Sequence, residues 1–381
     1  MLTVSRVPNE TYHPVWSPLL DEVSAEALDC LQANLALLVD RHRGAGAHLV
    51  LGAAPRFEVA GGLTDRLAQA HDLAGLRVAH RFTDVGGARS AELAAEHGVV
   101  YVVADVHDLA WTPYAGRRHE EHSFLLCSDG SGVSVVDAYH DETPWGPARP
   151  GTWRLEPADL AGLPPATVFV LEADDVVPVP AAVRHRENAT AERSAVDTFV
   201  ADRPDLVQDV WLLGRSRDLY TLWLASLPDT PALVVAAARS HAASVAALAG
   251  RLFVAGRRGG AVSGELLGAL RELLHADADL MAAVAAGTAG PVAARASTVD
   301  DSAARPVVLA AIAAVLRIDE ADVLAAGSLR ELPGFNSFRL VEIIERAEGV
   351  LGVELSDEDF TPETLTHAAA LCAAFATALP R

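Results

Sequence analysis

Residues 287–305, Gly-Thr-Ala-Gly-Pro-Val-Ala-Ala-Arg-Ala-Ser-Thr-Val-Asp-Asp-Ser-Ala-Ala-Arg, are small and polar, are interrupted by glycine and proline, and show no apolar period. Such a stretch is a flexible linker, so the segments on either side of it must bury cores of their own. The chain beyond it, residues 306–381, has apolar residues only at helical spacing. Val308, Leu309, Ile312, Val315 and Leu316 mark a first helix, and Thr361–Leu379 supplies the last. Between them Leu340, Ile343, Ile344, Ala347 and Leu351 line one face of a helix that turns Arg339, Glu342, Glu345 and Glu348 elsewhere. The preceding Leu332-Pro333-Gly334-Phe335-Asn336 is a glycine loop that delivers Ser337 to the start of this helix. Ser337 is then either a plain N-cap, for which serine is a preferred residue, or a hydroxyl that carries a group.

Composition removes several classes of function. A formal charge of −21 over 381 residues argues against nucleic acid, because phosphate binding needs basic patches. All 30 basic residues are arginine, which excludes a P-loop lysine, a Schiff-base lysine and a lysine general base. Cys30, Cys127 and Cys372 are odd in number, far apart and without CxxC spacing, so neither a disulfide framework nor a metal site is expected. The first residues have no apolar signal region. No apolar run reaches membrane-spanning length without an Arg, His or Asp. The expected location is the cytoplasm, with no membrane partner.

Upstream of the linker the patterns change once, near residue 178. Before it, a helix opens at Cys30, with Leu31, Leu35, Leu38 and Val39 at 3.6 spacing, and ends near Arg43-Gly44. His48–Leu51 is expected as a short strand, with helices over Thr64–Leu76 and Ala88–Glu96. Val99–Asp105 has the continuous β-branched run of a buried strand. Glu121–Cys127 and Val133–Tyr139 are strands on either side of a Ser128–Gly132 turn, and Thr167–Glu172 is a further strand. Helices before strands is an α+β order. From about 179 to 286 only helical patterns remain, over Glu192–Asp202, Ser216–Ala225, Thr230–Ala249 and Ser263–Val284.

One constellation carries chemistry. Cys30 lies at the first turn of its helix, where unsatisfied backbone N–H groups depress a thiol pKa. His122 and Asp137 lie on the two arms of the hairpin. A turn at Asp129-Gly130 sets them directly opposite one another, and a loop of Asp129–Gly132 makes them diagonal neighbours. Both registers keep them on one face, where a carboxylate fixes the imidazole tautomer and supports its charged form. His119 is the competing base, on the opposite face of the strand, and Cys127 is in the strand interior and suits packing. Cysteine on a helix, then histidine and aspartate on neighbouring strands, is the order of papain-like cysteine enzymes.

Two resemblances rest on these residues. Leu316-Arg317-Ile318-Asp319, Ser328–Ser337, the acidic helix after it and Asp357–Glu363 make residues 306–380 resemble an acyl or peptidyl carrier domain, a four-helix bundle. The resemblance implies 4′-phosphopantetheine held covalently on Ser337, placed there by a phosphopantetheinyl transferase. A helix N-terminus suits the phosphodiester. That family usually has aspartate before the serine, where this chain has Asn336. In the N-terminal part, Asp29-Cys30-Leu31-Gln32-Ala33-Asn34-Leu35, Val102-Val103-Ala104-Asp105 with Tyr114, and His122-Ser123-Phe124-Leu125-Leu126 with Val135-Val136-Asp137 resemble the butirosin biosynthesis protein H family of acyltransferases. The helical region after 180 is similar to the later part of such proteins.

The second resemblance implies a papain-like fold and transfer of an acyl group from a carrier thioester to an amine. Papain-like enzymes usually place a glutamine upstream of the cysteine as an oxyanion donor. Here Asn9 and Ser24 are the nearby candidates, beside the backbone N–H of Cys30. The expected architecture is therefore a papain-like α+β catalytic domain over 1–178, a helical subdomain over 179–286, the linker 287–305 and a carrier over 306–381. The expected function is a cysteine-dependent acyltransferase of natural-product biosynthesis, with catalytic Cys30, His122 and Asp137. An acyl- or amino-acid-activating ligase and a small-molecule amine acceptor are its implied partners. The alternatives are a thioesterase or amidohydrolase on the same triad, or an inert scaffold that displays a carrier.

Overall fold

Alternate residues of Val99–Asp105 face opposite ways, and both sides are covered. Val100, Val102 and Ala104 join one core with Leu93, Phe124, Leu126, Val135 and Val168. Tyr101 and Val103 join another with Leu35, Leu38, Leu125 and Val136. The computed structural model describes residues 10–55, 62–130, 132–143, 145–175, 179–199, 206–257, 262–287, 304–356 and 359–379. Two compact units divide the chain, Met1–Asn188 with Arg215–Thr230, and Ala189–Gly214 with Pro231–Arg381.

The first unit begins with α1 (Trp16–Glu22), α2 (Gln32–Arg43) and α3 (Leu63–Ala74). Then come β1 (Leu76–Val85), α4 (Gly87–His97), β2 (Val99–Asp105), β3 (Glu121–Ser128) and β4 (Val133–Asp137). β5 (Asp141–Thr143) and β6 (Gly146–Ala148) form a ribbon of their own, followed by β7 (Gly151–Leu155), α5 (Pro157–Ala161) and β8 (Ala166–Ala173). The main sheet has six antiparallel strands in the order β1-β8-β2-β3-β4-β7. Packing α2 on one face and α4 on the other gives a mixed helix-and-sheet unit in three layers. α2 is enclosed: every residue from Gln32 to Asp40 is buried. Each large apolar side chain hidden in this way stabilises the unit by about 1.5–3 kcal/mol.

One local expectation is corrected, and one strand was not anticipated. His48–Leu51 is not a strand but part of the 3₁₀ turn Ala47–Ala53. Gly44 and Gly46 both have positive φ just before it, and the His48 N–H donates to Asp40 Oδ1 at 2.7 Å. That donor is withdrawn from any strand ladder. β1 lacks a local signal because it is an edge strand with two register shifts, and its partner β8 comes some ninety residues later. Gly52 in the same turn is required by close approach. A Cβ there would lie 2.5 Å from the carbonyl oxygen of Leu219.

The helices after residue 178 are α6 (Ala181–Phe199), α7 (Leu206–Ser226), α8 (Ala232–Arg257) and α9 (Gly264–Ala286), and the division between the units falls inside α6 and α7. Among the described residues, only α8 is long and apolar enough, by length and composition alone, to cross a membrane. Its Val234, Ala238, Ala242, Val245, Leu248 and Leu252 are buried at helical spacing, and it packs on α9, with His241 Nε2 2.8 Å from Asp277 Oδ1. Those residues form one buried stripe along the helix. The linker assigned to 287–305 falls largely on 288–303, outside the described residues.

The C-terminal part of the second unit is helical. α10 (Ala304–Leu316), α12 (Ser337–Leu351) and α14 (Ala368–Ala378) are its long members, with short α11 (Glu320–Ala325) and α13 (Pro362–Thr366) between them. Val308, Ile312, Val315, Ile343, Ile344, Ala347, Leu371 and Phe375 close one core. α12 stops where Gly352 takes a left-handed conformation and its N–H bonds to the Glu348 carbonyl at 2.8 Å.

Candidate active site and carrier serine

Asp29 builds the turn that presents Cys30. Its carbonyl accepts from the Ala33 N–H at 2.9 Å, and its Oδ1 accepts from the N–H groups of Leu31 and Gln32 at 2.9 and 2.7 Å. Regular helix runs from Gln32, but this bonding makes Asp29 the working cap and Cys30 the first residue inside it. Arg66 holds the other oxygen of Asp29 at 2.6 Å.

The β3–β4 register pairs Leu125 with Val136 and Leu126 with Val135, which is the longer-loop alternative. His122 and Asp137 are therefore diagonal. Nε2 of His122 lies 2.7 Å from Asp137 Oδ2, with the residues only 2% and 4% exposed. Asp137 occupies Nε2, so Nδ1 is the nitrogen left for proton exchange. Cys30 lies against the two neighbours of His122 in sequence. Its Sγ donates to the Glu121 carbonyl at 3.6 Å, and its carbonyl accepts from Ser123 Oγ at 2.6 Å. The Tyr139 ring meets His122 edge-on at 5.4 Å, and Cys30 packs against the cluster of Val106, Tyr114, Tyr139 and Ala148.

Asn34, one turn beyond Cys30 and wholly buried, ties these pieces together. Its amide donates to the Ser123 carbonyl at 2.8 Å and to Asp137 Oδ1 at 3.3 Å, while its Oδ1 accepts from the Ala138 N–H at 3.0 Å. Trp111 Nε1 donates to Asp137 Oδ2 at 3.1 Å, and the Tyr139 N–H donates to Oδ1 at 3.0 Å. Sequence reasoning gave Asn34 no role. Its signal was a polar side chain four residues after the cysteine, followed by the apolar run Leu35–Val39.

Burial pushes the Asp137 carboxyl up, but the His122 charge and hydrogen bond, the Tyr139 N–H and the Asn34 amide outweigh it. The net shift is downward, so Asp137 is an anion. The expectation for Cys30 is overturned. Burial first, then the charges of Asp29, Glu120 and Asp137, push its thiol well above the ordinary range, with Arg215 opposing. The helix N-terminus does not depress it because two of the first N–H groups are already spent on the Asp29 carboxylate, an anion beside the thiol.

Arg215 on α7 was also missed. It donates to the carbonyls of Ala25 and Leu28 just before the nucleophile turn, and to the His140 carbonyl at 2.6 Å. It lies 3.5 Å from Asp141, whose Oδ2 also accepts from the hydroxyls of Tyr114 and Tyr139 at 2.6 and 3.0 Å. Only the folded chain brings α7 to this turn.

The remaining candidates separate cleanly. His119 is exposed, bonded to Asp105 at 2.7 Å and stacked on His107 at 4.1 Å. Cys127 is buried with its Sγ on the Ser134 carbonyl, and burial pushes its thiol up to about 11. His48 also pairs with a buried acid, Asp40, at 2.8 Å, but its Nε2 accepts from the Ser24 N–H at 3.1 Å. Both ring nitrogens are spent, so that pair is structural, and the Ser24 N–H is taken by it. Asn9 lies outside the described residues.

In the C-terminal unit the cap of α12 is Asn336, which has extended backbone and an Oδ1 that accepts from the Arg339 N–H at 2.8 Å. Ser337 is the first helical residue and not the cap. The other two serines in 306–375 serve local structure. Ser328 Oγ accepts from the Arg330 N–H and donates to the Thr366 carbonyl, and Ser356 Oγ donates to Asp359. Gly334 has φ of 74° and open space around its Cα, so the loop before the helix is uncrowded. These residues fit a serine that carries a prosthetic group at a helix start.

A helical bundle with such a serine defines a carrier-type domain. Residues 306–375 match the family model described as phosphopantetheine attachment site. The domain carries 4′-phosphopantetheine covalently on a serine, and a phosphopantetheinyl transferase is its partner. This ties the chain to acyl-thioester biosynthesis. No curated protein and no solved structure matches the chain.

Proposed function

We propose that the N-terminal unit is a papain-like cysteine acyltransferase, similar to the butirosin protein H family, that works with the carrier on the same chain. The observation that carries this reading is the buried His122–Asp137 pair at 2.7 Å beside the capped Cys30 turn. Ser337 is the attachment serine, and the arm it holds supplies an acyl group as a thioester.

Cys30 gives its proton to Nδ1 of His122 and forms a bond from Sγ to the thioester carbonyl carbon. Asp137 supports the resulting imidazolium, and the backbone N–H of Cys30 faces the developing oxyanion. His122 returns the proton to the departing thiol as its C–S bond breaks, leaving an acyl thioester on Cys30. An amine then attacks the same carbon. His122 takes the amine proton and gives it back to Cys30 as an amide is released, with one amide formed for each thioester consumed. The acceptor is a small-molecule amine, and an acyl- or amino-acid-activating ligase charges the carrier. The setting is cytoplasmic natural-product biosynthesis.

A second reading makes this unit a scaffold that only displays the carrier. It is favoured by the burial and the three carboxylates that push the Cys30 thiol upward. The test is intact-mass measurement of protein armed with acylated phosphopantetheine, without and then with an amine. An acyl adduct on Cys30 that an amine discharges as amide supports the transferase. Discharge to free acid with no amine dependence supports a hydrolase. No adduct on Cys30, with Cys30→Ala and His122→Ala as controls, sinks both enzyme readings.

A further inference from the structure

The first turn of α12 is engaged by another helix of its own unit. Phe338, next to Ser337, meets the Phe253 ring of α8 edge-to-face, with centroids 4.9 Å apart and planes at 89°. Phe338 is not among the described residues packed into the carrier core. One turn earlier on α8, a Cβ at Gly250 would lie 3.6 Å from Leu365 Cδ1 on α13, and these two helices pack together. Gly250 and Phe253 are three residues apart and share a stripe. The core residues Val245, Leu248 and Leu252 form a different one.

We infer that the Gly250–Phe253 stripe of α8 is a docking face for the chain's own carrier domain, and that seating Phe338 there restricts access to Ser337. The inference rests on Ser337 being the attachment serine. A modifying enzyme must cover the serine and the turn around it, and the neighbouring aromatic is already occupied. Among the described residues the seat holds the Phe253–Phe338 pair and the side of α8 that α13 approaches at Gly250, a patch far smaller than a permanent interface, so it releases readily. A transferase that acts only on the released carrier works at a rate scaled by the released fraction.

The test measures the rate of phosphopantetheine addition by intact mass on the full chain, with a transferase at limiting concentration. Phe253→Ala removes the ring, and Gly250→Leu drives a side chain into Leu365. Each is expected to raise the rate about 2- to 10-fold, the range an aromatic pair can contribute. Leu233→Ala, an exposed change elsewhere on α8, leaves it unchanged. Faster hydrogen exchange at the Leu340 N–H in Phe253→Ala, with an unchanged melting temperature, reports release and not unfolding. Equal rates in all variants overturn the docking face alone. No added mass on any variant removes Ser337 as the attachment site and the docking inference with it.

Discussion

Asn336 Oδ1 accepts the Arg339 N–H at 2.8 Å, so the residue that stands where carrier domains usually have an acid is the cap of α12. Capping needs a short side-chain acceptor, which asparagine supplies as well as aspartate does. What the substitution removes is a negative charge at the positive end of the helix.

The first prediction separates these two properties. Asn336→Ala should destabilise the start of α12 by about 0.5–2 kcal/mol, whereas Asn336→Asp should match or exceed the native residue by a few tenths of a kcal/mol. Protection of the Leu340 N–H against hydrogen exchange measures both. Equal protection in the alanine variant would show that the cap bond contributes nothing.

Asp137 predicts an acid limb of stability. Its carboxyl titrates lower in the folded chain than in the unfolded one, where it lies near 4. Between those two values the unfolded chain binds more protons, so stability rises with pH there. The contribution is complete above about pH 4 and is lost as pH falls through the lowered value. Asp137→Asn should flatten that limb and, on the proposed transferase reading, should lower amide formation by about 10²–10⁴-fold through loss of His122 orientation. Denaturant midpoints between pH 2 and 7 and single-turnover rates check the two parts.

Cys30 predicts an unusual reactivity profile. Burial first, then three carboxylates, push its thiol upward, with Arg215 opposing. Alkylation by iodoacetamide should be slow at neutral pH and should climb only beyond the ordinary thiol range near 8.5. Arg215→Met should move the climb to higher pH, and Glu120→Gln should move it lower. Peptide mapping of alkylated protein across pH 6–11 locates each profile. A Cys30 that alkylates fast at pH 7 and ignores Arg215 would refute the electrostatic account.

Much of this was legible in the chain because it is local. The apolar face of α12, the glycine loop before Ser337, the opening of a helix at Cys30 and the alternation in β2–β4 depend on neighbours within a few residues. The hairpin turn limited His122 and Asp137 to two registers, and either one joined them. His48 misled for a comparable reason. Its β-like neighbourhood says nothing of Asp40, which takes its N–H and ring through the fold.

The sequence by itself determined which residue types were present and which faces they occupied: a cysteine at a helix start, a histidine and an acid on one hairpin face, a serine at the head of a helix. Tertiary structure alone decided their chemistry. It chose the longer register for the hairpin, set Asn34 against Asp137, brought Trp111 and Arg215 to the site from outside the cysteine helix and the hairpin, and made Asn336 the cap. It also reversed the expected shift of the Cys30 thiol. Helix spacing is a property of a few adjacent residues, whereas burial and Coulomb interactions are summed over every group that folding brings near.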